Sequence, residues 1–248
     1  CAFACHYDKT DAWAHKLGAR LRIDVIQDAY REAINEIKQT MSAGDTIGVG
    51  LITFSNTTIN SVEPTTDLNS AYNNASLIKF PEVTATGQGG TNLHAAASAA
   101  AAMVTARKLK NPVPTTYVVV WLTDAVEDTK TIVTGRVEKH DYNIPITTPN
   151  GSVDATATLM TFATDLCDGV KKTGAVVMVM NTDYVTDGYG SVGAGIVKNK
   201  LKPVMSARIN MCASSSDYVK LANDPASILD AVVALTKLAI SKDLRVAN

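Results

Sequence analysis

The chain has 248 residues, of which 46% are hydrophobic and 19% charged, and its formal net charge is −1. This composition allows the core of one large α/β domain or of two small ones, and it excludes an intrinsically disordered chain. The balanced charge and the low aromatic content of 6% argue against a nucleic-acid surface, which needs a basic patch or a stacking platform.

No segment of the sequence is long and apolar enough to form a membrane-spanning helix. The longest apolar stretch, Ile228–Ile240, is interrupted by Asp230 and Lys237, so it is too short and too amphipathic to span a bilayer. No signal peptide is recognisable, and the sequence starts at Cys1. We therefore expect a fragment or a processed chain, with any membrane anchor or export signal lying upstream of Cys1.

Four cysteines are present, namely Cys1, Cys5, Cys167 and Cys212. An even number fits two disulfides, although four reduced core thiols would give the same sequence. We favour the oxidised state, which implies an oxidising compartment.

The first third of the chain contains one long helix and then extended segments. Residues 1–19 show no clean period and are interpreted as a loop with a short turn. Apolar residues then recur at helical spacing over Leu21–Ile37, and Gly44 follows the end of this helix. The pattern next predicts a buried strand at Thr46–Ser55, an extended piece near Thr57–Val62 and a short polar helix at Asp67–Ala75.

The rest of the chain alternates between helix and strand. A glycine-rich loop leads into an alanine-rich helix at Leu93–Leu109, which Thr91 or Asn92 can cap. Thr116–Thr123 is the most β-branched strand, and we expect it at a central position covered on both faces. The later elements are predicted as a small hairpin at about 130–152, a helix at Ala155–Lys172, a buried strand at Ala175–Met180, a glycine-rich loop at Thr186–Gly195, a helix with Pro203 within Val197–Cys212, a short strand at Asp217–Leu221, an amphipathic helix at Pro225–Ile240 and a last extended piece at Leu244–Ala247.

This alternation predicts an α/β fold with a doubly wound, mostly parallel sheet and helices on both faces. We expect residues 1–248 to form a single domain with the hairpin at about 130–152 inserted outside the main sheet. In such sheets, ligands bind where loops leave the carboxyl ends of the strands. The hydroxyl of Thr91 and the carboxylate of Asp124 would then share a hard cation such as Mg²⁺ or Ca²⁺. Alternatively, Thr91 only caps a helix and Asp124 only ends a strand.

Several segments resemble a known family. GDTIGVGLITFSN, GGTNLHAA and VVVWLTDAVED resemble the von Willebrand factor A fold, in which GGTN and LTD supply the second and third loops of a metal-ion-dependent adhesion site. The C-terminal half, with LCDGVKKTGAVVMVMNTDYV, MCASSSDYVKLANDPASILDAVVAL and DLRVAN, is similar to the C-terminal domain of TadG-like proteins of the tight-adherence (Tad) pilus system. The segment CAFACH ahead of LRIDVIQDA adds to this similarity.

The resemblance implies a non-enzymatic adhesion or assembly module outside the cytoplasm, in the periplasm, at the outer membrane or on the cell surface. It would bind proteins of the pilus or the cell envelope through its loop face, with Thr91 and Asp124 as cation ligands. It also implies a disulfide between Cys167 and Cys212, which by loop entropy would stabilise the fold by roughly 3–4 kcal/mol. For Cys1 and Cys5 it favours a local disulfide or a small cross-linked loop.

One part of the family pattern is absent. The metal site also needs a first loop, Asp-x-Ser-x-Ser, after the first strand, and the nearest approximation is Asp8–Ala12, DKTDA. No apolar strand of useful length precedes this segment. Either the first strand and its loop lie upstream of Cys1, or the metal site is degenerate.

Other motifs give alternative functions. Cys1, Cys5 and His6 come near the pattern of c-type haem attachment, so the alternative is a periplasmic redox or haem-carrying protein, which a visible-absorption spectrum would reveal. Gly188–Gly193 matches a dinucleotide fingerprint but lies too far beyond its strand, and a flexible loop is the preferred interpretation.

The sequence contains no nucleophile elbow, no P-loop and no His-Glu-x-x-His motif, so we do not expect an enzyme. The acidic cluster of Asp124, Glu127 and Asp128 is interpreted as mostly solvated surface. His94 is interpreted as a packing or surface histidine, because imidazole is not a preferred ligand of Mg²⁺.

Overall fold

The structure is a computed structural model, and it describes residues 15–55, 59–79, 91–111, 113–129, 140–148, 151–161, 165–183 and 192–241. The helices in these ranges are α1 (Arg22–Thr40), α2 (Leu68–Asn73), α3 (Leu93–Lys110), α4 (Asp168–Lys172), α5 (Val192–Ile196), α6 (Lys202–Cys212) and α7 (Pro225–Ile240). The strands are β1 (Val49–Phe54), β2 (Ile59–Thr65), β3 (Val118–Thr123), β4 (Val126–Thr129), β5 (His140–Thr148), β6 (Gly151–Thr161), β7 (Val176–Asn181) and β8 (Val219–Leu221).

A parallel sheet in the order β3-β7-β8 forms the centre of the described fold. Its register pairs Val118 with Val176 and continues to Thr123 beside Asn181. Residues 177–181 of β7 are buried, whereas Val120 of β3 is 39% exposed. Within the described residues β3 has a ladder neighbour on one side only, so the central position expected for Thr116–Thr123 stays a prediction. β-Branched composition indicates a strand, but it does not determine the strand's place in the sheet.

Helices cover both faces of this sheet, as the alternation of side chains in β7 shows. Val177 and Val179 pack in a core cluster with α3, and Met178 and Met180 pack in a second cluster with α1 and α7. Because successive side chains of a strand point to opposite faces, the two clusters lie on opposite sides of the sheet. Ala96, Ala97 and Ala100 of α3 are buried, and their small side chains allow the helix to lie close to the strands.

Two antiparallel sheets complete the described fold, namely β1-β2 and β4-β6-β5. The predicted helix at Ala155–Lys172 is wrong, because Gly151–Thr161 is a strand and helix appears only at Asp168–Lys172. Alternating threonines favour an extended chain here, and antiparallel pairing with β5 fixes it. The second strand of the hairpin therefore runs on to Thr161, beyond the boundary expected at about residue 152.

A disulfide joins Cys167, just before α4, to Cys212 at the end of α6, and their Cα atoms are 5.0 Å apart. Both cysteines are buried in the core cluster on the α3 side of the sheet. Among the helices that the structure describes, none has the length and apolarity needed to cross a bilayer. Several predictions lie outside the described residues: those for Cys1, Cys5 and His6, for Asp8–Ala12, for residues 87–90 and 188–191, and for residues 244–247.

Candidate functional site: the rim at the carboxyl ends of the strands

The end of β3 is a sharp turn that side chains hold in place. The Ala125 amide donates to Thr123 Oγ1 at 3.0 Å, and the Val126 amide donates to Asp124 Oδ1 at 3.2 Å. Ala125 has a φ of 58°, in the left-handed region that a non-glycine residue rarely occupies. These side-chain bonds satisfy amides that no longer pair in the parallel sheet. The chain then passes from β3 directly into β4.

Asp124 and Glu127 are buried rather than solvated. Asp124 is 7% exposed, and Glu127 in β4 is 0% exposed. The interpretation of this acidic cluster as solvated surface is therefore wrong for these two residues. The segment that follows β3 is not a free loop but pairs with β6. Burial raises the pKa of Asp124 to about 6, since removing a carboxylate from water penalises its charged form.

The loop before α3 lies next to this turn. The Ala95 amide donates to Asn92 Oδ1 at 2.9 Å, so Asn92 and not Thr91 caps the helix. His94, in the first turn of α3, has its Nδ1 atom 3.1 Å from Glu127 Oε2. This contact holds the loop carrying Thr91 beside the segment that follows Asp124. Because Asn92 caps the helix, the alternative that Thr91 is only a helix cap is wrong. The role of Thr91 as a cation ligand stays a prediction.

The end of β7 supplies further oxygen atoms to the same rim. Thr182 donates its amide to the Thr123 carbonyl at 2.9 Å, which places it beside the β3 turn. Asn181 and Thr182 are buried, and Asn181 Oδ1 and Thr182 Oγ1 have no hydrogen-bond partner among the described residues. Neither residue was predicted from the sequence. The polar run Asn181–Asp183 directly after a buried strand was the available signal.

Helix α1 begins at this rim as well. Arg22, its first residue, donates to the Asp183 carbonyl at 3.1 Å, and Lys202 forms an ion pair with the Asp183 carboxylate at 2.9 Å. Arg22 also counteracts, to a minor extent, the rise in the pKa of Asp124. The rim therefore combines the ends of β3 and β7 with the beginnings of α1 and α3.

The donor set of the rim suits a hard cation better than a soft metal. Thr91, Asp124, Asn181 and Thr182 each offer a side-chain oxygen as a ligand, which Mg²⁺ and Ca²⁺ prefer. In the ranges given above, no three His, Cys, Asp or Glu side chains are grouped in a way that could hold a metal. Thr91 and Asp124 would therefore form only part of a coordination shell.

The α/β architecture is similar to the fold of a von Willebrand factor (vWF) domain. It is similar to the pilus adhesin SpaC from Lactobacillus rhamnosus GG in its open conformation, with a TM-score of 0.58, 15% identity and coverage of 88% of this chain. The chain spans 28% of the length of that adhesin. It is also similar to the vWF domain of the type V pili tip protein Mfa5 from Porphyromonas gingivalis, with a TM-score of 0.56, 9% identity and 88% coverage of both chains. No family model and no curated protein matches the chain.

Proposed function

We propose that this chain is a non-enzymatic adhesion or assembly module of a Tad-type pilus system, acting outside the cytoplasm. Its rim would bind proteins of the pilus or cell envelope, with Mg²⁺ or Ca²⁺ shared by Thr91 and Asp124. The TadG-like sequence segments support the Tad assignment, and the fold shared with an adhesin and a pilus tip domain supports the pilus context. The Cys167–Cys212 disulfide supports an extracytoplasmic location, because such bonds persist in oxidising compartments.

The buried carboxylate of Asp124 is the observation that carries the proposal. A carboxylate that is 7% exposed is costly unless an opposite charge compensates it. Arg22 supplies only a weak part of that compensation, so a divalent cation would relieve a real electrostatic penalty. A bound cation with open coordination positions would in turn attract an acidic group of a partner protein.

The surroundings of His94 support a binding role rather than a catalytic one. Its two ring nitrogens face carboxylates, with Nδ1 3.1 Å from Glu127 and Nε2 4.0 Å from Asp165. Activation of a nucleophile instead needs a hydroxyl or thiol within hydrogen-bond reach of the histidine. Through these contacts His94 connects α3 with β4 and with the segment before α4.

Calorimetric titration with Mg²⁺ and with Ca²⁺ tests the cation. We expect Asp124→Ala to weaken binding by about tenfold or more, because it removes a charged ligand. Asp230→Ala, which removes an exposed carboxylate on α7, is the matched control and should bind as the unmodified protein does. Thr91→Ala is compared in the same way with Thr105→Ala on the exposed face of α3. Absence of binding by the unmodified chain, or equal losses in target and control, would contradict the cation site.

Binding of the purified chain to isolated Tad-type pili, measured by surface plasmon resonance, tests the partner. We expect a signal that EDTA and Asp124→Ala both reduce and that Asp230→Ala leaves unchanged. Binding that survives EDTA but is lost in Asp124→Ala would support the rim as the binding surface and would contradict the role of the cation. Absence of binding to pili in the presence of Mg²⁺ or Ca²⁺ would contradict the adhesion or assembly role.

A further inference from the structure

The last turns of three helices meet at the pole of the fold opposite the rim. Lys108, near the end of α3, donates to the carbonyl of Thr173, which follows α4. Lys171 of α4 donates to the carbonyl of Met211, near the end of α6, at 2.6 Å. Because α4 leads into β7 through Thr173, this pole lies where the parallel strands begin, whereas the rim lies where they end.

Positive charge predominates on the helices that meet at this pole. Helices α3 and α6 contain no aspartate or glutamate, and α4 contains only Asp168. On the opposite face of the sheet, α1 and α7 carry basic and acidic residues in similar proportion. The formal net charge of −1 is therefore unevenly distributed between the two helix layers. Near the pole, the positive charge includes the lysines that end α3 and α4, namely Lys108, Lys110, Lys171 and Lys172.

Large apolar side chains lie exposed beside these lysines. Leu109 is 83% exposed, Val113 in the loop after α3 is 64% exposed, and Met211 is 52% exposed. Lysine near the C-terminal end of a helix interacts favourably with the helix dipole, which explains the charges alone. It does not explain the apolar side chains, and apolar residues that are exposed together rather than singly indicate an interaction surface. We call this group the basal surface, made of Lys108, Leu109, Lys110, Val113, Lys172 and Met211.

We propose that the basal surface binds an anionic lipid bilayer. Its ammonium groups would lie at the phosphates of the headgroups, and Leu109, Val113 and Met211 would insert just below them. Electrostatic attraction to anionic lipids and burial of apolar side chains act together in such binding. An acidic protein would match the charge as well, but protein interfaces are enriched in arginine and aromatic residues and depleted of lysine. The lysine-rich composition of the basal surface therefore favours lipid.

This placement has a consequence for the rim. Because the basal surface and the rim lie at opposite poles of the parallel strands, a chain that is bound to a bilayer in this way would direct the rim away from the membrane. The rim would then stay open to a partner protein. The inference depends neither on the cation nor on the pilus, since it uses only residues of the opposite pole.

Co-sedimentation of the purified chain with lipid vesicles tests the charged part of this surface. We expect binding to vesicles of phosphatidylglycerol and phosphatidylcholine in equal parts that weakens as salt rises, and little binding to phosphatidylcholine alone. Replacing Lys110 and Lys172 together with glutamine should lower the partition coefficient about 20-fold, since each basic residue near an anionic surface contributes roughly fivefold. The matched control replaces Lys16 and Lys200, two exposed lysines towards the rim, with glutamine and should bind as the unmodified chain does.

The same assay tests the apolar part. Leu109→Ser should lower the partition coefficient about tenfold, because it removes a side chain that the bilayer would bury. Leu17→Ser, at a residue that is 65% exposed ahead of α1, is the control and should have no effect.

Absence of binding to the phosphatidylglycerol vesicles, equal binding to both kinds of vesicle, or equal losses in target and control variants would overturn the proposal. Binding to soluble polyglutamate without binding to vesicles would also overturn it and would indicate an acidic protein partner. The comparison of the two vesicle compositions uses the unmodified chain, so a variant that fails to fold does not leave the question open.

Discussion

Replacing Asp124 with asparagine removes a buried negative charge and leaves the shape of the side chain almost unchanged. The folded protein holds the Asp124 proton up to a pKa of about 6, whereas the unfolded chain releases it near 3.8. Between these pH values the folded state binds more protons, so raising the pH destabilises it. Above pH 6 the lost stability amounts to about 3 kcal/mol.

The Asp124→Asn variant escapes this penalty, because asparagine does not ionise. Both side chains accept the bond from the Val126 amide, and the strength of that bond to the carboxylate is already contained in the pKa of about 6. At pH 7.5 we therefore expect the variant to be about 3 kcal/mol more stable than the unmodified chain. Near pH 4 the two proteins should be nearly equal in stability, because Asp124 is then protonated in the folded protein.

Urea unfolding of both proteins between pH 4 and pH 8 measures this difference, with Asp230→Asn as the exposed control. A difference in unfolding free energy that stays constant over this pH range would refute the reasoning, because it would mean that Asp124 titrates normally in the folded protein. If the rim holds a cation, saturating Mg²⁺ or Ca²⁺ should stabilise the unmodified chain above pH 6 and should have little effect on Asp124→Asn.

Three further predictions concern stability. Replacing Cys167 and Cys212 together with alanine should lower the unfolding free energy by roughly 3–4 kcal/mol, and intact-mass analysis without reductant should find no free thiol at either position in the unmodified chain. Asn92→Ala should cost about 1 kcal/mol in urea unfolding, because it removes the cap of α3, whereas Thr91→Ala should leave the cap intact. Tyr30→Phe should raise the melting temperature, since the Tyr30 hydroxyl is buried without a hydrogen-bond partner among the described residues. In the unmodified chain, burial raises the pKa of Tyr30 to about 12, so the phenol should stay protonated at pH 11 in a spectroscopic titration.

The helix-strand alternation was readable from the sequence because periodicity reports which side chains are buried. Leu21–Ile37, Leu93–Leu109 and Pro225–Ile240 each correspond to a long helix in the structure, with their apolar stripes against the sheet. The helix predicted at Ala155–Lys172 was wrong because periodicity was ambiguous there. Short threonine- and alanine-rich segments fit either helix or strand, and only pairing with β5 decides between the two.

The candidate site was predictable only in part. The strand-end rule pointed to Asp124 and to the loop of Thr91, because loops at the carboxyl ends of parallel strands share one rim. It could not show that Asp124 and Glu127 are buried, since burial depends on how segments distant in the sequence pack together. Nor could it find Asn181 and Thr182, whose place beside the β3 turn depends on the register of β7 against β3.

The sequence by itself determined the α/β class, the principal helices and the residue types that end the strands, because these follow from local periodicity and composition. The tertiary structure decided that β7 lies between β3 and β8 and that a carboxylate is held out of water at the rim. These are properties of pairs of segments far apart in the chain. Strand order and desolvation arise only when such segments pack together, and no local pattern encodes them.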